Sequence, residues 1–338
     1  MALEMGIRLP TAGPPQASAA FAERAEASGF EFLWMPDTPV LAGRWRDVYP
    51  HLTCAALSTR RLRLGPGVTN PITRHPVTTA SAILTVDDAS EGRADLVAGT
   101  GYSSAYIIGR KAATLRQMRE ATSLWRSIFQ GEPTELGGLR IELDKPRPAL
   151  PIYLAATGPK MLQLAGEIAD GVLIMVGAAP GMVRWALQHV HAGLERAGRD
   201  SRSLRKILVV FGHVQDDRAR AIEQMRPCAA GLYRHRFAGE LLAAAGLEKP
   251  TRLPDIQHPY PDLGHAVDWR AAQRAAAFVA DAAVEAYCAL GSAEDVAARV
   301  RELAALDIDA IWWRDEQSYA APTALLEALS EQVFPKLR

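Results

Sequence analysis

Short apolar runs alternate along the chain with longer stretches in which apolar residues recur every three or four positions. Eight runs are rich in Val, Ile and Leu and often apolar throughout, as strands are when helices cover both faces of a parallel sheet. The eight predicted strands are residues 5–9, 30–35, 62–67, 94–99, 151–156, 171–176, 207–214 and 308–313. This alternation predicts an α/β fold, a (β/α)8 TIM barrel. An open, doubly wound sheet is the alternative, because periodicity does not reveal closure.

Segments of helix length with recognisable ends separate the predicted strands. Gly29 and Gly92 each follow an amphipathic segment, as glycines beyond a helix C-terminus do. Pro159 stands at a first helical position, which tolerates proline. Ser292, followed three residues later by Asp295, is close to a capping box.

Two segments interrupt the alternation. Residues 131–150 have the pattern of a small hairpin, whereas residues 231–270 are longer and rich in Pro and His. Long connections in a compact barrel are often lids or binding loops. We therefore predict one TIM-barrel domain over residues 1–338, with inserts at about 131–150 and 231–270, and we assign the second insert as a substrate lid.

The composition of the chain argues against several classes of protein. The 338 residues carry 38 basic and 38 acidic side chains, so no net charge favours nucleic acid or an anionic membrane. Cys54, Cys228 and Cys288 lie far apart and show no ligand spacing, so no metal site or disulfide framework is indicated. No signal peptide and no membrane-spanning run is recognised, which predicts a cytoplasmic protein.

Candidate chemistry lies where strands end and helices begin. The segment ATGPK (156–160) leads directly into a helix, whose free N–H groups can bind an anion, although a plain turn before a helical proline explains it equally. VGAAPG (176–181) follows the next strand and strengthens the case for a phosphate. GTGYSS (99–104) lacks the third glycine of a dinucleotide fingerprint. No P-loop or GxSxG motif occurs.

The loop after the third strand is unusually specialised. Residues 65–76, GPGVTNPITRHP, contain three prolines, two glycines and an asparagine, which is more than a simple turn needs. Asp37 follows the second strand, where an acid can orient a ligand, donate a proton, or serve only as a cap or turn residue.

Two longer blocks resemble a known family. TNPITRHPVTTASAILTVDDASEGRADLVAGTG (69–101) and PIYLAATGPKMLQLAGEIADGVLI (151–174) resemble the luciferase-like flavin and deazaflavin (F420)-dependent oxidoreductases. They are most similar to the branch that contains methylenetetrahydromethanopterin reductase. The resemblance extends from residue 5 to about residue 215 and again over 285–335, and it does not include 231–270. It implies a (β/α)8 barrel that binds F420 or FMN at the C-terminal mouth of the strands.

The resemblance also implies a cofactor site. A non-prolyl cis peptide at Gly67–Val68 would support the back of the ring. The loops after the third and fourth strands would contact the ring and its edge, and the loops after the fifth and sixth would hold the ribityl chain and phosphate. By position, these further contacts fall on Thr69, Asn70, Thr100, Gly101, Ala155, Ala156, Thr157, Gly158, Pro159, Gly177 and Ala178.

The resemblance does not identify the residue that would donate a proton in the reaction. The resemblance places Asp37 beside the reactive part of the cofactor, and we predict it as the catalytic residue. Many deazaflavin-dependent relatives have His directly after this acid, where the present chain has Thr38. The donor is therefore open between Asp37, a residue of the lid and solvent.

The resemblance predicts an oxidoreductase that transfers hydride between reduced F420 and an unidentified small-molecule or peptide substrate. One alternative is an FMN-dependent monooxygenase that uses reduced FMN from a flavin reductase partner and oxygen. Another is a non-catalytic paralogue that only binds the cofactor. The family also implies a homodimer.

Several residues of the predicted lid could contact a polar or anionic substrate, or could simply face solvent. They are Arg234, His235, Arg236, His258 and Tyr260.

Overall fold

The computed structural model describes residues 3–250, 259–316 and 318–337, apart from the side chain of Arg234. Its strands are β1 Glu4–Arg8, β2 Phe32–Met35, β3 Arg63–Thr69, β4 Leu96–Ala98, β5 Thr134–Leu136, β6 Leu139–Ile141, β7 Ile152–Ala156, β8 Gly171–Ile174, β9 Arg205–Val214, β10 Cys288–Gly291 and β11 Ala310–Arg314.

Eight of these strands close a parallel barrel. Their order around the barrel is β1, β2, β3, β4, β7, β8, β9 and β11, and β11 pairs back onto β1. Each of the eight predicted strands overlaps one of them. The TIM barrel is therefore confirmed. The open sheet is wrong, because the ring of pairings has no gap.

A ninth parallel strand escaped the sequence analysis. β10 pairs with the C-terminal half of β9, with Cys288 opposite Phe211. Its run, CALG, follows directly on a helix that ends at Tyr287. No polar or turn residue separates the two elements, so the pattern alone does not divide them.

The helices cover the outside of the barrel, and their ends follow the sequence cues. Gly29 and Gly92 have φ of +87° and +88°, and Ser292 and Asp295 form both bonds of a capping box. The helices are α1 Pro15–Ala27, α2 Val48–Ser58, α3 Pro76–Ser90, α4 Tyr102–Ile107, α5 Leu115–Gln130, α6 Pro159–Ile168, α7 Pro180–Arg196, α8 Arg218–Ala230, α9 Ala238–Ala244, α10 Trp269–Ala275, α11 Asp281–Tyr287, α12 Ala293–Ala304 and α13 Thr323–Ala328.

Large side chains fill the interior of the barrel. The indole rings of Trp34 and Trp312 lie 5.8 Å apart, and Trp34 Nε1 donates to Asp95 at 3.0 Å. The same interior cluster contains Phe32, Val97, Tyr153, Leu173, Ile207, Val209 and Ala310. Trp312 also lines the cavity described below, so this cluster forms the floor of that cavity.

The two inserts differ in character. Residues 131–150 contain the predicted hairpin, in which β5 and β6 pair antiparallel. The segment 231–270 contributes α9 and the first residues of α10, while its residues 251–258 lie outside the described residues. Among the described helices, none is long and apolar enough to cross a bilayer.

Candidate functional site

A cavity of about 520 Å³ opens at the C-terminal ends of the barrel strands. Half of the predicted site residues line it, namely Gly67, Val68, Thr100, Gly101, Ala155, Thr157 and Gly158. The other predicted residues do not belong to its lining within the described part of the chain, namely Asp37, Thr69, Asn70, Ala156, Pro159, Gly177 and Ala178. The structure thus brings together the loops after β3, β4 and β7.

The loop after β3 has the geometry that the resemblance implied. The peptide bond Gly67–Val68 is cis, and the pairing of β3 with β4 shifts register between Gly67 and Thr69. A Cβ at Gly67 would come within 2.8 Å of Trp34 Cβ and 2.9 Å of Trp312 Cζ2. Position 67 therefore requires glycine, because a Cβ there would clash with the two tryptophans of the cavity floor. Val68 faces the cavity.

Asn70 supports this loop from behind. Its Nδ2 donates to Thr73 Oγ1 and to Ser104 Oγ, both at 2.9 Å. Its Oδ1 accepts from the amides of Ile72 and Thr73 at 3.0 and 2.9 Å. The side chain is fully buried. These bonds join the loop after β3 to α4, so Asn70 shapes the cavity without lining it.

Asp37 lies behind the same loop. It is 5% exposed, and its Oδ2 accepts a hydrogen bond from Thr69 Oγ1 at 2.8 Å. Arg74 Nε lies 3.6 Å from the same oxygen. Burial raises the pKa of Asp37, while Arg74 and the bond from Thr69 oppose that change. Pro36 and Thr38 line the cavity on either side of it, so the catalytic role of Asp37 stays a prediction.

The two candidate phosphate loops are not equivalent. Gly158 is the N-cap of α6, no side chain caps this helix, and Gly158 lines the cavity. In the second loop, the amides of Ala178 and Ala179 donate to Ala286 O at 3.0 and 2.7 Å. The Ala178 amide is thus engaged by α11, whereas the N-terminus of α6 at Gly158 lies beside the cavity, where an anion could bind. The roles of Gly177 and Ala178 stay predictions.

Comparison with known proteins decides the family. Residues 4–310 match the family described as luciferase-like monooxygenase. A 5,10-methylenetetrahydromethanopterin reductase from Archaeoglobus fulgidus is 32% identical over 296 residues, which cover 84% of each chain. The chain belongs to the luciferase-like monooxygenase family.

Two further similarities agree with this assignment. An F420-dependent hydroxymycolic acid dehydrogenase from Mycobacterium tuberculosis is 32% identical over 221 residues, or 60% of each chain. The solved structure of the coenzyme F420-dependent tetrahydromethanopterin reductase from Methanopyrus kandleri matches with a TM-score of 0.80 and 23% identity, over 100% of both chains. The predicted resemblance is therefore confirmed at the level of the family, and the second match supports the fold.

Part of the lining of this cavity was not predicted from the sequence. Arg8, Trp45, Phe211, His265 and Arg314 all line the cavity. Arg8 and Arg314 are the last residues of β1 and β11, which are adjacent strands. The first predicted strand ran on to residue 9, which placed Arg8 inside it. The last predicted strand ended at Trp313, one residue before Arg314, so neither arginine was the last residue of a predicted strand.

The insert 231–270 supplies a histidine–aspartate pair to the cavity. His265 Nδ1 lies 3.0 Å from Asp262 Oδ1, which also accepts from the amides of Gly264 and His265. Burial lowers the pKa of His265, and the bond to Asp262 opposes this. With the proton placed on Nδ1, facing the carboxylate, Nε2 remains as a proton acceptor.

The other predicted lid residues differ in whether they line the cavity. His235 lines the cavity, whereas Arg236 and Tyr260 are exposed. His258 lies outside the described residues.

Asp315, next to Arg314, leads to a prediction about stability. The residue is 8% exposed, and burial, with Glu316 adding to it, raises the pKa of its carboxyl group from 3.8 to about 7. The folded state therefore holds a proton that the unfolded chain releases, so this residue lowers stability progressively as the pH rises from about 4 to above 7. Asp315→Asn should raise the free energy of unfolding at pH 8 by about 1–3 kcal/mol and change it little at pH 4.

Urea unfolding at both pH values measures this difference. The exposed Asp216 provides a matched Asp→Asn control, which should not change the pH dependence. A gain for Asp315→Asn of the same size at pH 4 and pH 8 would contradict the prediction.

Proposed function

We propose that this luciferase-like protein is an oxidoreductase that binds coenzyme F420 and transfers hydride between it and an organic substrate in the cavity. The observation that carries the proposal is the slot at the barrel mouth, where Val68, Gly99 and Ala155 lie together in the wall of the cavity. The F420-dependent relatives reported above favour this cofactor over FMN.

The residues present fit a flat ring with a phosphorylated chain. Gly99 and Ala155 lie beside Val68, and a Cβ at Gly99 would come within 3.0 Å of Val68 Cγ2 and 3.5 Å of Ala155 Cβ. The small residues thus leave a slot against Val68. Thr157 and the uncapped N-terminus of α6 lie next along the cavity and suit a phosphate.

Bound F420 supplies the hydride chemistry, and the protein has to orient the reactants and exclude water. Aromatic side chains close much of the cavity, namely Trp45, Phe211, Phe237, Tyr287 and Trp312. Phe237 belongs to the insert 231–270, as do His235, Asp262 and His265. We therefore assign this insert the role of a lid.

A proton has to move with the hydride when an alcohol and a ketone interconvert. His265 can take that proton at Nε2 or return it, because Asp262 stabilises the imidazolium that forms. This assignment favours the lid residue over Asp37 as the proton carrier, since Asp37 is held behind the loop by Thr69. His265→Gln should therefore reduce kcat more than Asp37→Asn does, with cofactor affinity preserved.

Binding of the two cofactors tests the proposal. Wild-type protein should bind reduced F420 more tightly than reduced FMN in fluorescence titrations. Tight binding of FMN alone, with oxygen consumption, would favour the monooxygenase. Binding of F420 without turnover of any of a panel of alcohols, ketones and imines would favour the non-catalytic paralogue. The homodimer and the flavin reductase partner stay predictions.

Gly99→Ala is the sharpest variant for this site. The added methyl group would occupy the slot between Val68 and Ala155, so we expect the Kd for F420 to rise at least about tenfold, which is about 1.4 kcal/mol. Gly13→Ala is the matched control, because its Cβ would meet Ala17 Cβ at an ordinary 3.7 Å. An unchanged Kd for Gly99→Ala would place the ring elsewhere.

A further inference from the structure

We propose that the cavity binds an oxyanion of the substrate, a carboxylate or a phosphate, between Arg8 and Arg314. The inference rests on the proposed function only in taking the bound anion to be the substrate. The two arginines form an anion site whatever the cofactor is.

Strand pairing places the two arginines side by side. Ile7 on β1 pairs with Trp313 on β11, so Arg8 and Arg314 are the next residues of two neighbouring strands. Side chains alternate along a strand. Because Trp312 faces the barrel interior, Arg314 two residues later faces the same way, and both arginines line the cavity.

An aromatic ring packs against each of the two guanidinium groups. Arg314 Cζ lies 4.6 Å from the centre of the Phe211 ring, and Arg8 Cζ lies 5.4 Å from the centre of the Trp45 ring. Trp45 is itself fixed by a hydrogen bond from Nε1 to Ser318 O at 2.7 Å. The Arg314 guanidinium, stacked on Phe211, keeps its planar fork of donors available for an oxyanion.

Among the described residues, no direct contact neutralises the positive charge of Arg314. Its Nε is buried without a hydrogen-bond partner. Across residues 3–250, 259–316 and 318–337, its guanidinium forms no ion pair or hydrogen bond. Burial lowers the pKa of Arg314, and burial and repulsion from Arg314 lower that of Arg8 to about 9. Arg314 is half-buried, and a cation partly withdrawn from water without a close counter-ion is costly. An anionic ligand would relieve that cost.

The nearby carboxyl groups do not remove this requirement. Asp315 and Asp262 attract Arg314 only at longer range. Asp315, with a pKa of about 7, is substantially protonated near neutral pH. Asp262 is engaged by the amide and imidazole groups of His265 and by the amide of Gly264. The cavity therefore retains a positive side next to β1 and β11.

This positive side is separate from the predicted position of the cofactor phosphate. In the closed order of eight strands, β7 lies four strands from β1 in either direction. The helix N-terminus at Gly158 follows β7, so it lies across the cavity from Arg8. The cofactor tail and the substrate anion would thus approach from opposite walls.

Anion titration tests the inference directly. Cofactor-free wild-type protein is titrated with inorganic phosphate, and separately with pyruvate and benzoate, by calorimetry at constant ionic strength. We expect saturable binding in at least one arm. The anion that binds with the lowest Kd then identifies the substrate oxyanion as a phosphate or a carboxylate. Absence of binding in every arm would overturn the proposal.

Substitutions locate the bound anion. Arg8→Gln and Arg314→Gln should each weaken its binding at least about tenfold, and Arg314→Lys should be intermediate because it keeps the charge but loses the fork. Arg44→Gln is the matched control, since the exposed Arg44 also stacks on an aromatic ring, at 5.1 Å from Tyr319, but does not line the cavity. Equal anion affinity in all variants would contradict the proposal.

Two further measurements separate this inference from the proposed function. The Kd for F420 should be unchanged in Arg8→Gln and Arg314→Gln, and a weaker F420 affinity with unchanged anion affinity would mean that the arginines hold the cofactor instead. If anions bind as expected and F420 does not, the anion site stands and the proposed function fails.

The stability of an apolar variant gives an independent check. Arg314→Met removes the cation that lacks a close counter-ion, so its Tm without added anion should equal or exceed that of wild type. A markedly lower Tm would show that protein groups already satisfy this guanidinium, which would overturn the argument.

Discussion

Gly101→Ala is expected to lower the free energy of unfolding by about 2–4 kcal/mol and to abolish measurable binding of F420. Gly101 is the N-cap of α4 and has a φ of +76°, in the left-handed region that L side chains adopt with difficulty. A Cβ there would come within 2.5 Å of Asn70 Cγ and 2.8 Å of its Oδ1. The new methyl group and the Asn70 side chain therefore cannot both keep their positions.

Asn70 cannot move aside without further loss. Its four hydrogen bonds to Ile72, Thr73 and Ser104 hold the loop after β3 on α4. Each such bond contributes about 0.5–1.5 kcal/mol, and a buried group left without its partner costs more. Displacement of Asn70 would also move Val68, so cofactor binding should be lost together with stability.

Gly109→Ala separates the two causes. Gly109 has a φ of +69°, and a Cβ there would meet nothing within 4 Å. This control should show only the cost of the left-handed backbone, about 1–2 kcal/mol, and should bind F420 as wild type does. Urea unfolding and F420 titration measure both effects. If the two variants behaved alike, the contact with Asn70 would not be responsible.

Gly65→Ala is expected to lower the free energy of unfolding by about 3 kcal/mol or more. Gly65 lies in β3 just before the cis peptide, and its Cβ would come within 2.2 Å of the backbone oxygen of Asp95. A backbone oxygen has no rotamer to change, so β3 and the segment before β4 would have to separate.

That separation would affect the cavity floor as well. The carboxylate of Asp95 accepts from Trp34 Nε1 at 3.0 Å and from Arg63 Nε at 3.2 Å, inside the barrel. Movement of Asp95 would break these bonds, and F420 affinity should fall with stability. Gly13→Ala, with its ordinary contact at 3.7 Å, should leave both unchanged. Unfolding free energies within about 0.5 kcal/mol of wild type for Gly65→Ala would refute this account.

Local patterns were sufficient for most of the fold. All eight barrel strands were predicted, because buried parallel strands are short apolar runs and the intervening helices carry their own end residues, such as Gly29 and Ser292. β10 was missed because its four residues continue the preceding helix without an intervening turn. The cis bond at Gly67–Val68 followed from the family resemblance and not from the spacing of residues.

Some residues of the site were assigned from the sequence, whereas the orientation of others depends on hydrogen bonds from neighbouring elements. Gly67, Gly101 and Gly158 were assigned from the family resemblance, in strand-end loops whose small residues are visible in the sequence. The orientation of Asp37 and the use of the Ala178 amide depend on Thr69 and Ala286, which hydrogen-bond to them from other elements. No local pattern states which way such groups face.

The sequence by itself therefore determined the order and type of the elements, because the spacing of apolar residues in each segment shows whether one face or both faces are buried. Only the tertiary structure decided that β11 closes onto β1, and closure places Arg8 beside Arg314 although they come from opposite ends of the chain. The charge of the cavity depends on that closure, since a cation buried beside another cation acquires its binding properties from its neighbours.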